Sequence, residues 1–108
     1  MQLIRDKPFS ITVGQKQVRL RIPAQLSLAS QRFEGGIFSG GDTISFVPLT
    51  NDAFAVRVDP DSTRKVYAQG GRMFFYVPRS IVESYHLRTH RQYEAWIHNG
   101  EFIVKVIT

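Results

Sequence analysis

Hydrophobic and polar residues alternate along eight short segments of the chain. A period of two is typical of strands that bury one face of a sheet. Aromatic and β-branched residues, which favour strands, are concentrated in the later segments. The pattern predicts eight strands: Phe9–Val13, Val18–Ile22, Thr43–Pro48, Phe54–Val58, Lys65–Gln69, Met73–Val77, Tyr93–His98 and Phe102–Ile107.

Turn-forming residues separate these strands in pairs. The four turns carry Gly14, Asn51-Asp52, Gly70-Gly71 and Asn99-Gly100. An Asn-Gly pair is the strongest short hairpin signal, because both residues accept a positive φ. Each pair of neighbouring segments is therefore predicted to form a hairpin.

Two segments have apolar residues at helical spacing. Ala24–Arg32 and Arg79–Leu87 both begin just after a proline and carry apolar residues three to four positions apart. We predict a short helix in each. The buried face of the second helix would consist of Ile81, Val82, Tyr85 and Leu87.

The same order of elements occurs in both halves of the chain. Ile22-Pro23 matches Val77-Pro78 at an offset of 55 residues, and Asn51 matches Asn99 at an offset of 48. We place the seven-residue difference in an extra loop within Phe33–Gly41, and Asp59–Arg64 would connect the halves. A small all-β protein can also divide into two hairpin-rich halves by chance.

The repeated order leads to a prediction of fold. We expect a single domain over residues 1–108, mainly β, forming a small barrel of two duplicated β-β-α-β-β units. The first repeat would cover residues 8–59 and the second residues 65–108.

The charge balance favours an anionic partner. The chain has 14 Lys and Arg against 9 Asp and Glu, a formal net charge of +5, and 43% hydrophobic residues, enough for a packed core. Nucleic acid is the partner class most consistent with this excess of positive charge. The absence of cysteine excludes disulfides, thiolate zinc sites and cysteine nucleophiles.

The start of the chain does not have the pattern of a secretory signal. Arg5, Asp6 and Lys7 precede any long apolar run. No stretch approaches the roughly 18 apolar residues of a membrane span. We therefore expect a cytoplasmic protein with no membrane partner.

Basic residues are concentrated in two hairpin regions. Strand alternation places Arg19 and Arg21 on the face opposite the apolar residues of their strand, and arginine forks match phosphate oxygens bidentately. If the halves are related by pseudo-symmetry, both regions lie on one side of the barrel. The candidate nucleic-acid-binding residues are Lys16, Arg19, Arg21, Arg64, Lys65, Arg72 and Arg79.

Two further interpretations of these regions stay open. The charges could form a solvated outer sheet face without a ligand. Phe74 and Tyr76 share the outward register of Arg72, and they could stack on single-stranded bases or cover a second apolar layer.

No residue pattern indicates a catalytic or metal site. His86 and His90 have the spacing of the histidine half of a zinc finger, but the cysteine half is missing. With His98, they are expected to be surface or loop imidazoles. No nucleophile-elbow or phosphate-loop pattern is present, so we expect neither an enzyme nor a cofactor.

Several short motifs resemble the AbrB/MazE/SpoVT-like family of swapped-hairpin DNA-binding proteins. That pattern contains a Gly-Arg, a strand ending in Ile/Val-Pro, a short helix ending in a Leu-Gly type turn, a Gly-Asp and a closing hairpin through an Asp/Asn-Gly turn. The second half resembles it at Gly71-Arg72, Val77-Pro78, Leu87 and Asn99-Gly100, and the first half at Ile22-Pro23 and Gly41-Asp42. In the second half, Arg88–Gln92 stands in place of the Gly-Asp.

The resemblance implies a fold and a function. Members of the family build their barrel from two chains, so two units in one chain imply a pseudo-dimer or a related double-psi-type barrel. A DNA-binding transcriptional regulator is implied, with DNA favoured over RNA and phosphates contacted by the basic hairpins. A homodimer of the whole chain is also allowed. The alternative is a non-enzymatic protein-interaction or adaptor barrel whose basic face is incidental.

Overall fold

The computed structural model describes residues 2–3, 8–13, 17–23, 26 and 37–107. This part of the chain is mainly β, and none of its helices is long and apolar enough to cross a membrane. The elements are β1 (Gln2–Leu3), β2 (Phe9–Ser10), β3 (Thr12–Val13), β4 (Val18–Ile22), β5 (Thr43–Pro48), β6 (Ala53–Val58), β7 (Arg64–Gln69), β8 (Arg72–Tyr76), α1 (Arg79–Ser84), β9 (Gln92–His98) and β10 (Glu101–Ile107).

The four predicted hairpins are confirmed. β3 pairs with β4, β5 with β6, β7 with β8, and β9 with β10, all antiparallel. Asn99 and Gly100 have φ of 50° and 74°, the positive values that a two-residue hairpin turn of type I′ requires. The predicted first strand is instead divided at Ile11, because β2 pairs with β9 while β3 pairs with β4.

The second predicted helix is confirmed in a shorter form. α1 ends at Ser84, and His86 follows in the left-handed region with a φ of 52°. The N–H of Leu87 donates to the carbonyl of Val82, which closes the helix with the backbone bond of a Schellman motif. The first predicted helix, Ala24–Arg32, lies outside the described residues except for Leu26, as does the start of the predicted extra loop.

The strands form one curled antiparallel sheet. Their order is β1-β9-β10-β6-β5-β7-β8-β4-β3, and β2 also pairs with β9. β2 and β3 are successive parts of one segment, so the pairing leads from β9 around the sheet and back to β9. The described fold is therefore barrel-like.

The register of one hairpin recurs in another. Thr12 pairs with Arg19, and Tyr67 pairs with Phe74, each residue of the second pair lying 55 positions after its counterpart. β4 also pairs with β8, and β6 with β10, so strands from the first half of the chain are neighbours of strands from the second half.

A turn before β5 and a turn before β9 each contain a residue with a positive φ. Gly41 and His90 both have positive φ, of 90° and 70°. The N–H of Gly41 donates to the carbonyl of Val66 at 2.8 Å, and that of His90 donates to the carbonyl of Ile11 at 3.4 Å. His90 thus adopts a left-handed backbone conformation, which has a steric cost for a residue with a Cβ and none for glycine.

The inward faces of the strands form one apolar core. Phe102 lies in it fully buried, with its ring centroid 6.2 Å from those of Phe38 and Phe75. Ile81 and Tyr85 bring α1 and the turn after it into the same cluster, as predicted. Burial of the inward residues leaves the alternate residues of β4 and β8 on the outside, whereas β6 and β10 each bury three successive residues.

Candidate nucleic-acid interface

The outer surface of β4, β7 and β8 is the main candidate for a binding site. Leu20, Val66 and Phe75 are buried, so their neighbours along each strand point outward. We call this surface the Arg-Tyr face. It consists of Arg19, Arg21, Tyr67, Gln69, Arg72, Phe74 and Tyr76.

Cross-strand pairing brings these side chains together. Phe74 lies between Tyr67 of β7 and Arg21 of β4, and pairs with both. Arg19 pairs with Tyr76, and its guanidinium carbon lies 4.9 Å from the centroid of the Phe74 ring. That distance allows a cation–π interaction, which orients the guanidinium against the ring.

Three aromatic rings form a cluster on this face. Tyr67 and Phe74 are stacked, with ring centroids 5.6 Å apart and ring planes 20° apart. The ring of Tyr76 forms T-shaped pairs with both, and its centroid lies 5.5 Å from that of Tyr67 and 5.7 Å from that of Phe74. Tyr67 is 44% exposed although it lies in a sheet. The cluster thus presents aromatic surface to solvent.

Three arginines surround a cleft beside these rings. Arg19, Arg21 and Arg72 line it, with Gln69, Met73 and Phe74, and its volume is about 240 Å³. Within the described ranges, none of the three has a carboxylate within 4.0 Å. Their positive charges are therefore uncompensated by the described part of the chain and available to an anion.

The other predicted binding residues are placed differently. Lys65 is exposed and shares the outward register of Tyr67, whereas Arg64 has the opposite register on β7. Arg79 lies on α1, where its Nε is 3.0 Å from a carboxylate oxygen of Glu83. Lys16 lies outside the described residues. The structure thus brings Arg19, Arg21 and Arg72 together, and holds Arg79 in a separate ion pair.

Tyr67 and Gln69 belong to the face, although the sequence analysis did not single them out. The alternation around the buried Val66 already indicated that both point outward. An outward-facing aromatic residue in a strand can indicate a binding surface. The proximity of Tyr67 to the arginines of β4 could not be predicted from the sequence, because it depends on the pairing of β4 with β8.

A second cleft, of about 410 Å³, lies near the start of β9. It is lined by Arg88, His90, Arg91, Gln92 and Ile107, and the buried Nε of Arg91 has no hydrogen-bond partner among the described residues. Unlike the Arg-Tyr face, this cleft has no Phe, Tyr or Trp among its described lining residues. In the described part of the chain, no group of three or more His, Cys, Asp or Glu residues is positioned to hold a metal ion.

The Arg-Tyr face offers hydrogen-bond donors, positive charge and aromatic surface. Such a set can bind a polyanion and stack on planar groups. No protein-family model matches the chain, and no curated protein or solved structure matches it either.

Proposed function

We propose that this protein is a non-enzymatic DNA-binding protein of the cytoplasm, acting as a transcriptional regulator, and that DNA phosphates bind at the Arg-Tyr face. The observation that carries the proposal is the meeting of Arg19, Arg21 and Arg72 at one cleft without a described carboxylate partner. A planar guanidinium can donate two parallel hydrogen bonds to a phosphate, which makes arginine well suited to this role.

The proposal includes an internal duplication of the AbrB-like or double-psi kind. The recurrence of the hairpin register at 55 residues supports it, as do the matching left-handed turns at Gly41 and His90. On this proposal, residues 8–59 and 65–108 are the two units of a pseudo-dimer. β4 and β8 then meet at the boundary between the units, and the Arg-Tyr face extends across that boundary.

Salt dependence tests the proposed phosphate contacts. Each phosphate neutralised changes the slope of log affinity against log salt by about 0.9 for duplex DNA, so three contacts predict about 40-fold weaker binding after a fourfold rise in salt. We expect micromolar binding of a labelled duplex at low salt, measured by fluorescence anisotropy. Binding that does not change with salt would contradict the proposal.

A charge-reversal variant tests the location of the site. The triple change Arg19→Glu, Arg21→Glu and Arg72→Glu should abolish retention of DNA while leaving the melting curve close to that of the wild type. The matched control changes the net charge equally at exposed positions outside the face, through Arg57→Glu, Arg88→Glu and Lys105→Glu.

The control should retain most of the binding, since it leaves the cleft intact. Equal loss in both triple variants would mean that overall charge, and not this face, attracts DNA. If the wild type bound no nucleic acid even at low salt, the adaptor-barrel alternative would replace the proposal, and a protein partner would be sought.

A further inference from the structure

We infer that the Arg-Tyr face binds single-stranded DNA, with bases stacked on Tyr67 and Tyr76 and the sugar-phosphate backbone held by Arg19, Arg21 and Arg72. This inference rests on the proposed function, and it specifies which form of DNA the same site takes. The carrying observation is that one sheet surface combines the exposed ring of Tyr67, the half-buried ring of Tyr76 and three arginines that have no carboxylate partner among the described residues.

Tyr67 and Tyr76, on the Arg-Tyr face, lie in a different environment from the buried Tyr85. Tyr85 is 5% exposed, and its hydroxyl donates to backbone carbonyls at 2.9 and 3.0 Å. Tyr67 is 44% exposed, and in the described part of the structure neither its hydroxyl nor that of Tyr76 has a protein acceptor. Both outer side chains therefore have polar and aromatic surface available to a ligand.

Two of the three arginines lie on a different strand from the rings. Arg19 and Arg21 lie along β4, with the Arg19 guanidinium over the Phe74 ring, whereas the rings lie on β7 and β8. A strand following β4 would place its phosphates at the arginines and direct its bases across β8 towards Tyr67. Arg72, at the start of β8, would contact the phosphate backbone where it leaves the rings.

Single strands use such a surface better than duplexes do. In a duplex the faces of the bases are covered by neighbouring bases, so only terminal pairs could stack on a protein ring. In a single strand each base can unstack, and stacking on an aromatic side chain contributes about 1–3 kcal/mol per base with little dependence on sequence.

The inference is tested with three labelled probes of equal length, about 15 nucleotides, in the range of known single-strand site sizes. They are an oligothymidine, an abasic oligomer with the same phosphate backbone, and a duplex. Anisotropy titrations of the full chain at low salt should show oligothymidine binding at least about tenfold more tightly than either of the others, as expected from stacking of one or two bases.

Two double variants separate stacking from charge. Tyr67→Leu with Tyr76→Leu keeps apolar side chains on the strands but removes the aromatic rings, and should reduce oligothymidine binding to the level of the abasic oligomer. Tyr67→Phe with Tyr76→Phe keeps the rings and should preserve the preference. Melting curves of both variants establish that the fold is retained.

The outcomes distinguish this inference from the function on which it rests. Failure of the wild type to bind any probe would overturn the proposed function itself. Equal binding of oligothymidine and the abasic oligomer would leave DNA binding in place and overturn the stacking. Tighter binding of the duplex, or an unchanged preference in the leucine variant, would also overturn the inference.

Discussion

The four tyrosines of the chain occupy two kinds of environment. Tyr85 and Tyr93 are buried, and their hydroxyls donate to backbone carbonyls; that of Tyr93 reaches the carbonyl of Arg21 at 3.1 Å. Tyr67 and Tyr76 lie on the Arg-Tyr face. The buried pair satisfies the requirement that a tyrosine hydroxyl in the interior find a hydrogen-bond partner. The hydrogen bond of Tyr93 also fixes the backbone that carries an arginine of the candidate site.

Replacing Tyr85 with phenylalanine should destabilise the fold. The change removes the hydroxyl that donates to the carbonyls of Thr50 and Ala53, while the ring continues to fill the core. We expect the free energy of unfolding to fall by about 1 kcal/mol, typical of one buried hydrogen bond. Urea unfolding of both proteins at neutral pH measures the difference, and equal midpoints would contradict the stabilising role of these bonds.

Alkaline pH should reduce the difference in the free energy of unfolding between the wild type and Tyr85→Phe. Burial raises the pKa of Tyr85 above its ordinary value of 10.0, a backbone hydrogen bond at Leu49 opposes the rise, and the charge of Asp52 adds to it. The unfolded chain therefore loses the tyrosine proton first, at pH near 10.0, which favours unfolding as the pH rises towards the folded pKa. The stability advantage over Tyr85→Phe should be full below pH 10.0 and decline above it. A constant advantage across the alkaline range would contradict the raised pKa.

At the scale of elements, the turn before β5 is packed directly against β7. A Cβ added at Gly40 would lie 2.8 Å from the Cβ of Ala68, closer than real Cβ atoms come. The N–H of Gly41 donates to the carbonyl of Val66 at 2.8 Å and fixes the same approach. Glycine is needed at position 40 because β7 lies too close to leave room for a side chain. The residues next to Gly40 in the sequence do not indicate this.

Gly40→Ala should therefore lower the free energy of unfolding by about 1–3 kcal/mol, the usual cost of overpacking. The added methyl group meets another Cβ, which cannot rotate away. The double change Gly40→Ala with Ala68→Gly removes that contact and should recover part of the loss, with Ala68→Gly alone as the control. Thermal or urea unfolding measures all three variants. An unchanged midpoint for Gly40→Ala would show that the turn can move away from β7.

At the scale of the whole molecule, the two halves depend on each other. The pairings of β4 with β8, β6 with β10, β5 with β7, and β2 with β9 all join one half to the other. Each half alone would keep its hairpins but expose unpaired strand edges and the apolar faces that form the common core. Stability is therefore expected to belong to the complete sheet.

Separated fragments test this dependence. Residues 1–59 and 60–108, expressed apart, should each lack a cooperative melting transition as monomers, because neither can bury its apolar face. Mixed in equal amounts, they should recover the circular dichroism spectrum of the intact chain. Cooperative melting of either fragment as a monomer, measured together with its mass in solution, would contradict this prediction.

The sequence by itself determined the four hairpins and the outward or inward direction of the side chains of β4, but it did not predict β1 or the division of the first strand at Ile11. Alternation, Asn-Gly and the residues after Pro78 are local signals, since they depend on backbone preferences over a few positions. They were sufficient to predict that Arg19 and Arg21 point outward and that Ile81 and Tyr85 are buried. The family resemblance and the DNA-binding function derived from it stay predictions.

The tertiary structure alone decided which of those outward residues meet. The pairing of β4 with β8 places Arg19 beside Phe74. The left-handed turn at His90 and the close approach of Gly40 to Ala68 could not be predicted from the sequence either. The physical reason is the same in each case: the neighbour of a strand beyond its own hairpin is chosen by closure of the whole sheet around a shared core, to which residues far apart in the chain contribute.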